Sequence, residues 1–166
     1  MNNMRNIKIE KITINIGCGE AGEKLDKAKK LLENLTNKKI VITKTNKRTT
    51  FGSPKGSDIG CKVTLRGNDA KEFLKRAMDA IDKKLSKNVF DKQGNFSFGI
   101  KEHIDIPGIK YDPEIGILGM DVCVSLERPG FRVKRKKISS KIGKKHLITP
   151  EETGEWVAKT YGVEII

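Results

Sequence analysis

The chain has 166 residues, with 34 Lys and Arg against 21 Asp and Glu, a formal excess of +13. That length fits one domain of ordinary size, residues 1–166, which can bury a core without disulfides or a metal. No apolar run approaches the roughly 18 residues of a spanning helix, so no membrane is expected. Cys18, Cys61 and Cys123 are too few and too widely spaced for a disulfide framework or a zinc site, with His103 and His146 isolated from them. All three cysteines read as small, half-buried hydrophobes.

The N-terminus, MNNMRNIKIEKITINIG, passes directly into a strand pattern and lacks the apolar stretch and cleavage site of a signal peptide. A cytoplasmic protein is expected. Ile12, Ile14 and Ile16 alternate over Lys11 to Ile16, the period of a strand. Glu23 to Leu35 carries Leu25, Ala28, Leu32 and Leu35 on one helical stripe. Lys39 to Lys44 reads as a strand, Thr45 to Asp58 as a long hairpin-like loop, and Gly60 to Arg66 as the return strand. Asn68 or Asp69 is expected to cap the next helix, with Phe73, Leu74, Ala77, Met78, Ile81 and Leu85 on its apolar face. Asn95 to His103 and Ile117 to Glu127 read as further strands. Aromatics are scarce at 5%, so Phe96 and Phe98 are assigned to the core rather than to base stacking. Thr149-Pro150-Glu151-Glu152 is a helix start, and the helix runs through Trp156 to about Tyr161, with Gly162 to end it. Helices and strands do not alternate regularly, which gives an α+β fold on a largely antiparallel β-sheet.

Charge is concentrated in two places. Lys38, Lys39, Lys44, Lys47, Arg48, Lys55, Lys62 and Arg66 lie in one segment with Asp58 as its only acid. The extension over 128–147 contains Arg128, Arg132, Lys134, Arg135, Lys136, Lys137, Lys141, Lys144 and Lys145 with no acid from Arg128 to His146. A polyanion partner explains such an excess, because each neutralised phosphate releases condensed counterions. The strands point the same way. Opposite the apolar residues of three strands stand Lys11, Thr13 and Asn15, then Thr43, then Lys62, Thr64 and Arg66. If these strands are neighbours, they present cations and hydrogen-bond donors without a carboxylate, a face suited to phosphates, 2′-hydroxyls and base edges.

Two other chemistries compete with this reading. Gly17-Cys18-Gly19-Glu20-Ala21-Gly22 has the G-x-G-x-x-G spacing of a nucleotide-binding turn between a strand and a helix. Glu20 and Glu23 would repel a pyrophosphate there, and a tight turn accounts for the glycines; a nucleotide-dependent enzyme is one alternative. A general RNA chaperone or transfer RNA binder is the other. No catalytic constellation, metal site or cofactor is expected.

The segments KIEKITINIGCGEAG, LLENLTNKKIVITKTNKRT, IGCKVTLRG, GNFSFGI and GMDV resemble the ribosomal protein L5 family in order and spacing, from about Ile9 to Val124. ERPGFRVKRKKI, the TPEE helix and the early first strand look like its archaeal and eukaryotic branch. The resemblance implies an antiparallel sheet with helices packed on one side, in a large-subunit protein that binds 5S ribosomal RNA (rRNA). It places Asn15, Thr43 and Thr64 on that RNA surface, with Lys11, Lys62 and Arg66 matching by motif. Asn37-Lys38 stands where bacterial members have Gly-Gln, which exchanges an amide for a cation. The same resemblance directs the loop residues Phe51, Gly52, Ser53, Pro54, Lys55 and Gly56 toward the peptidyl-site transfer RNA (tRNA). It also implies contacts with large-subunit rRNA and neighbouring ribosomal proteins, including one in the small-subunit head.

Overall fold

The computed structural model describes residues 3–19, 21–48 and 54–166. Five strands form one mostly antiparallel sheet in the order β2-β3-β1-β6-β5. They are β1 (Lys8–Gly17), β2 (Val41–Lys44), β3 (Asp58–Leu65), β5 (Phe96–Ile100) and β6 (Met120–Glu127). Two short strands, β4 (Lys84–Leu85) and β7 (Glu164–Ile165), pair in parallel as a separate ribbon. The α-helices among the described residues are α1 (Glu23–Thr36), α2 (Gly67–Ala80) and α3 (Pro150–Tyr161). The chain divides into two compact units, one of Met1–Ile12, Leu65–Phe98 and Cys123–Ile166, the other of Thr13–Thr64 and Gly99–Val122.

In the second unit, Ile14 and Ile16 of β1 are buried while Thr13 and Asn15 remain partly exposed, the alternation a pleated strand imposes. Helix α1 buries Leu25, Ala28, Leu31, Leu32 and Leu35, spaced three or four apart as one helical face requires. It ends at Asn37, whose left-handed backbone (φ 50°) lets its N–H reach the Glu33 carbonyl at 2.8 Å. That reversal delays β2, so Lys39 and Ile40 lie in the connection rather than in the expected strand. Strands β2 and β3 are antiparallel, with Val41 opposite Lys62, Ile42 opposite Cys61 and Thr43 opposite Gly60. A register shift after Thr43 then sets Lys44 opposite Asp58. Because β2 is the edge strand, Ile42 stays 40% exposed although it faces the same way as the fully buried Cys61.

Gly60 is fixed by a close backbone approach. A Cβ there would lie 2.6 Å from the Ile16 carbonyl oxygen and 3.1 Å from the Thr43 hydroxyl. Gly60→Ala is expected to destabilise the fold by about 2 kcal/mol, because a backbone atom cannot move aside as a side chain can. Equilibrium denaturation by urea checks this; an unchanged midpoint would show that the strands separate freely.

In the first unit, α2 begins slightly earlier than a cap at Asn68 or Asp69 would set. Its N-cap is Arg66, in extended backbone and without a side-chain cap, so Asn68 and Asp69 lie inside the first turn. Ala70, Phe73, Leu74, Ala77 and Met78 are buried along it. The expected stripe runs on to Leu85, but the helix stops at Ala80. Asp82 and Lys83 take positive φ (54° and 56°) and redirect the chain, so that Leu85 is buried from β4 instead. Phe96 and Phe98 are buried core residues, stacked at 6.3 Å between ring centroids. Strands β5 and β6 are shorter than periodicity suggests: His103 starts a 3-10 turn, and Ile117 precedes the close approach of Gly119 to Lys101. Helix α3 starts as its sequence dictates. The Thr149 hydroxyl accepts from the Glu152 N–H and the Glu152 carboxylate accepts from the Thr149 N–H; Gly162 (φ 66°) closes the far end.

Candidate nucleic-acid interface

The open face is built by strand periodicity. Along β1, Lys11, Thr13 and Asn15 alternate with Ile12, Ile14 and Ile16, which are at most 2% exposed. On β3, Lys62 and Thr64 are exposed between buried Cys61, Val63 and Leu65, and Arg66 follows, exposed, at the strand end. The β2–β3 register sets Val41 beside Lys62 and leaves Thr43 opposite a glycine, so the Thr43 hydroxyl has no bulky neighbour across the strand. Strands β2, β3 and β1 are adjacent, as the carboxylate-free face requires. The face is not free of acids: Asp58 opens β3 at the parity of Lys62 and Thr64, and on β6 exposed Asp121 and half-buried Glu127 alternate with buried Val122, Val124 and Leu126. Within the second unit, Asp121 and Asn15 border one shallow hollow. Cys123, expected to be half-buried, is exposed on β6.

The remaining cations are spread over connections. Lys38 and Lys39 are exposed between α1 and β2. Lys44 Nζ lies 3.7 Å from Asp58 Oδ1, too far for a hydrogen bond, and that buried oxygen has no hydrogen-bond partner among the described residues. Beyond it the hairpin continues for one tight step. Thr45 and Gly56 bond through their backbones at 2.9 Å, and the Thr45 and Ser57 hydroxyls each donate to the Pro54 carbonyl at 2.9 Å. This knot fixes the base of the loop. Lys47, Arg48, Pro54, Lys55 and Gly56 are exposed around it, whereas Phe51, Gly52 and Ser53 lie outside the described residues.

The basic segment after β6 is a closed loop and not a trailing arm. Arg128 is only 4% exposed; its guanidinium donates to the Leu147 carbonyl at 3.1 Å and the His146 carbonyl at 3.4 Å and meets Glu152 at 2.9 Å. A His146 ring nitrogen lies 2.9 Å from the Pro129 carbonyl, and the Phe131 ring meets the His146 ring edge-on at 5.7 Å. Both ends of the loop are thus pinned where α3 begins. Glu152 completes the lock: hydrogen bonding from Thr149 first, with Arg128 adding to it, holds its carboxyl below the usual range. Charge counting alone could not separate Arg128 from its neighbours; the signal for its role was its place at the end of an apolar strand.

Arg132, Lys134, Arg135, Lys136 and Lys137 follow, mostly within a 3-10 stretch (Phe131–Arg135), all with exposed side chains. Arg135 differs from the rest. It bonds Glu10 at 2.9 Å and also Glu127, so its charge is spent on two carboxylates. The Arg66 guanidinium approaches the Glu10 carbonyl at 3.5 Å.

The glycine turn does not form a phosphate cradle. The Cys18 and Gly19 N–H groups both donate to the Ile59 carbonyl, at 2.9 and 3.0 Å, which commits them to β3. Glu23 and Asp26 occupy the first turn of α1; Glu20 lies outside the described residues. No helix among the described residues is long and apolar enough to cross a membrane.

An α+β scaffold with one apolar and one donor-rich sheet face, two basic segments and a +13 excess defines a nucleic-acid-binding protein. Comparison with known proteins agrees. Residues 2–50 match the family model described as ribosomal protein L5, and residues 58–156 match the model for the C-terminus of that same ribosomal family. The large ribosomal subunit protein uL5 of Sulfurisphaera tokodaii is 49% identical over 170 residues, covering 100% of this chain and 96% of that protein. Those of Pyrobaculum aerophilum and Nanoarchaeum equitans are each 49% identical, covering 98% of this chain and 92% and 98% of theirs. The chain belongs to the ribosomal protein L5 family.

Proposed function

We propose that this structural protein of the large ribosomal subunit holds 5S rRNA against the open face of β2, β3 and β1. Family membership supports the ribosomal role. The observation that carries the finer reading is the alternation that sets Lys11, Thr13, Asn15, Thr43, Lys62, Thr64 and Arg66 opposite the buried side of adjoining strands, with no acid among them. Rigid strands hold these donors without the entropy loss of ordering a loop. Cations at phosphates supply affinity, and Thr and Asn groups at sugar and base edges supply register.

The other contacts follow the chain. Lys38, Lys39, Lys44, Lys47 and Arg48 would reach flanking phosphates of rRNA. Arg132, Lys134, Lys136 and Lys137 on the pinned loop would bind rRNA of the large subunit, with Arg135 shaping that loop while shared between Glu10 and Glu127. The tip of the 45–58 loop, Phe51 through Gly56, would approach the peptidyl-site tRNA, and a small-subunit head protein would complete the set of partners. Lys55→Ala is accordingly expected to spare 5S binding and weaken tRNA contact.

Salt dependence tests the phosphate-led mechanism. With roughly six phosphate contacts, affinity for 5S rRNA should fall by about a thousand-fold between 50 and 200 mM salt. Filter binding across that range checks it, and a flat response would contradict the proposal.

A further inference from the structure

Pinning the basic loop leaves a groove in the first unit that shares Lys11 with the sheet face but otherwise lies outside it. Its volume is about 370 Å³. Lys11 of β1, Ser125 of β6 and Asn95 border it on the sheet side, and Phe131, Lys134 and Arg135 border it on the loop side. Glu10 also borders it, and both Glu10 and Glu127 are bonded to Arg135. Arg135 offsets one of those two negative charges, and Lys11 and Lys134, without an ion pair among the described residues, bring the local sum to +1.

The hydrogen-bonding groups are equally uncommitted. Asn95 accepts from the Leu126 N–H through Oδ1 at 3.2 Å, which fixes the amide and leaves its NH2 to donate. The Ser125 hydroxyl has no partner among the described residues. The Phe131 ring, held edge-on against His146, supplies an aromatic surface at the rim. The space is too large for a lone phosphate and lies at the lower end of the roughly 300–1,000 Å³ range of small-molecule sites.

We propose that this groove takes one unstacked nucleotide of a bound RNA: its phosphate between Lys11 and Lys134, its base edge at the Asn95 amide and Ser125 hydroxyl, its ring against Phe131. Single-stranded RNA is recognised by such a combination of cation, edge donor and aromatic contact. The assignment rests on the chain being an RNA-binding protein, and it adds Asn95, Ser125 and Phe131 to the residues that touch RNA.

The test uses the full chain and two fluorescein-labelled probes, a single-stranded hexauridylate and a 12-base-pair RNA duplex, read by fluorescence anisotropy. Asn95→Asp keeps the Oδ1 acceptor for Leu126 and replaces the free NH2 by a repelling oxygen; Phe131→Leu removes the ring without changing charge. Each variant is expected to lose about ten-fold in affinity for the single strand, with the ratio of single-strand to duplex affinity falling by a similar factor. Thermal melts establish that the variants are folded. Equal losses on both probes, or no loss on either, overturn the groove as a nucleotide site. Retained binding of 5S rRNA by those same variants would then leave the sheet-face reading standing, whereas failure of the unaltered protein to bind any RNA removes both.

Discussion

The Lys62→Glu, Arg66→Glu double variant is expected to fold normally and to lose about a hundred-fold or more of its affinity for 5S rRNA. Both side chains are exposed and neither takes part in an ion pair among the described residues, so the core has no reason to notice the change. The RNA has reason to. Two cations beside buried Val63 and Leu65 become two anions, on strands whose own acids, Glu10 and Asp58, are each paired with a cation. Like-charge placement against phosphate costs several kcal/mol, more than simple truncation would. Filter binding at fixed salt, beside a thermal melt, checks both halves of the expectation. Unaltered affinity in a folded variant would move the RNA to another surface.

Arg128→Met is expected to act on stability instead. Its guanidinium is buried and bonds two carbonyls and a carboxylate at the junction of β6, the basic loop and α3. Hydrogen bonds to a charged group contribute about 1.5–3 kcal/mol, and here the two carbonyls would lose their donor together. A loss of about 3 kcal/mol corresponds to a fall in Tm of roughly 6–12 °C for a chain of this size. Hydrogen exchange should quicken over 146–152, because that stretch holds the pinned end of the loop and the first turn of α3. A variant that melts like the parent but binds RNA more weakly would instead make Arg128 a contact residue. Acid acts on the same lock. The Glu152 carboxyl is held below its ordinary value of 4.5, so its contribution is complete above that pH and is lost as pH falls through the lowered value. Arg128→Met should therefore also flatten part of the decline in Tm on acidification; an unchanged slope would assign that decline to other carboxylates.

Much of this is legible in the sequence because local chemistry and tertiary packing agree. The Ile12, Ile14 and Ile16 alternation defines both faces of β1, and Thr149, Pro150 and Glu152 announce α3 down to its capping hydrogen bonds. The errors share one physical origin. Apolar spacing continues past Ala80 and so extends α2 to Leu85, while the left-handed turn at Asp82 and Lys83 is signalled by a single Asp, too weak to outweigh that spacing. The β4–β7 ribbon of two residues each is below what any periodicity can reveal. Alternation also cannot tell an edge strand from a central one, which is why the exposure of Ile42 is invisible in it. For the site, charge density finds the basic loop, yet it cannot say that Arg128 is buried, that Arg135 is spent on Glu10 and Glu127, or that the loop is closed on itself. Those facts depend on partners distant in sequence: Glu10 for Arg135, and the 146–152 stretch for Arg128. The acids of β6 are visible as residues; that they extend the open face requires the strand order.

The most direct test is the affinity of a doubly truncated protein, Asn15→Ala with Thr64→Ala, for transcribed 5S rRNA at constant salt. Neither change alters charge or touches the buried side of the sheet, so only hydrogen bonds from the open face are removed. The expected result is a loss of about ten-fold or more with an unchanged melting curve. Binding as tight as that of the parent chain would show that 5S rRNA does not lie on β1 and β3.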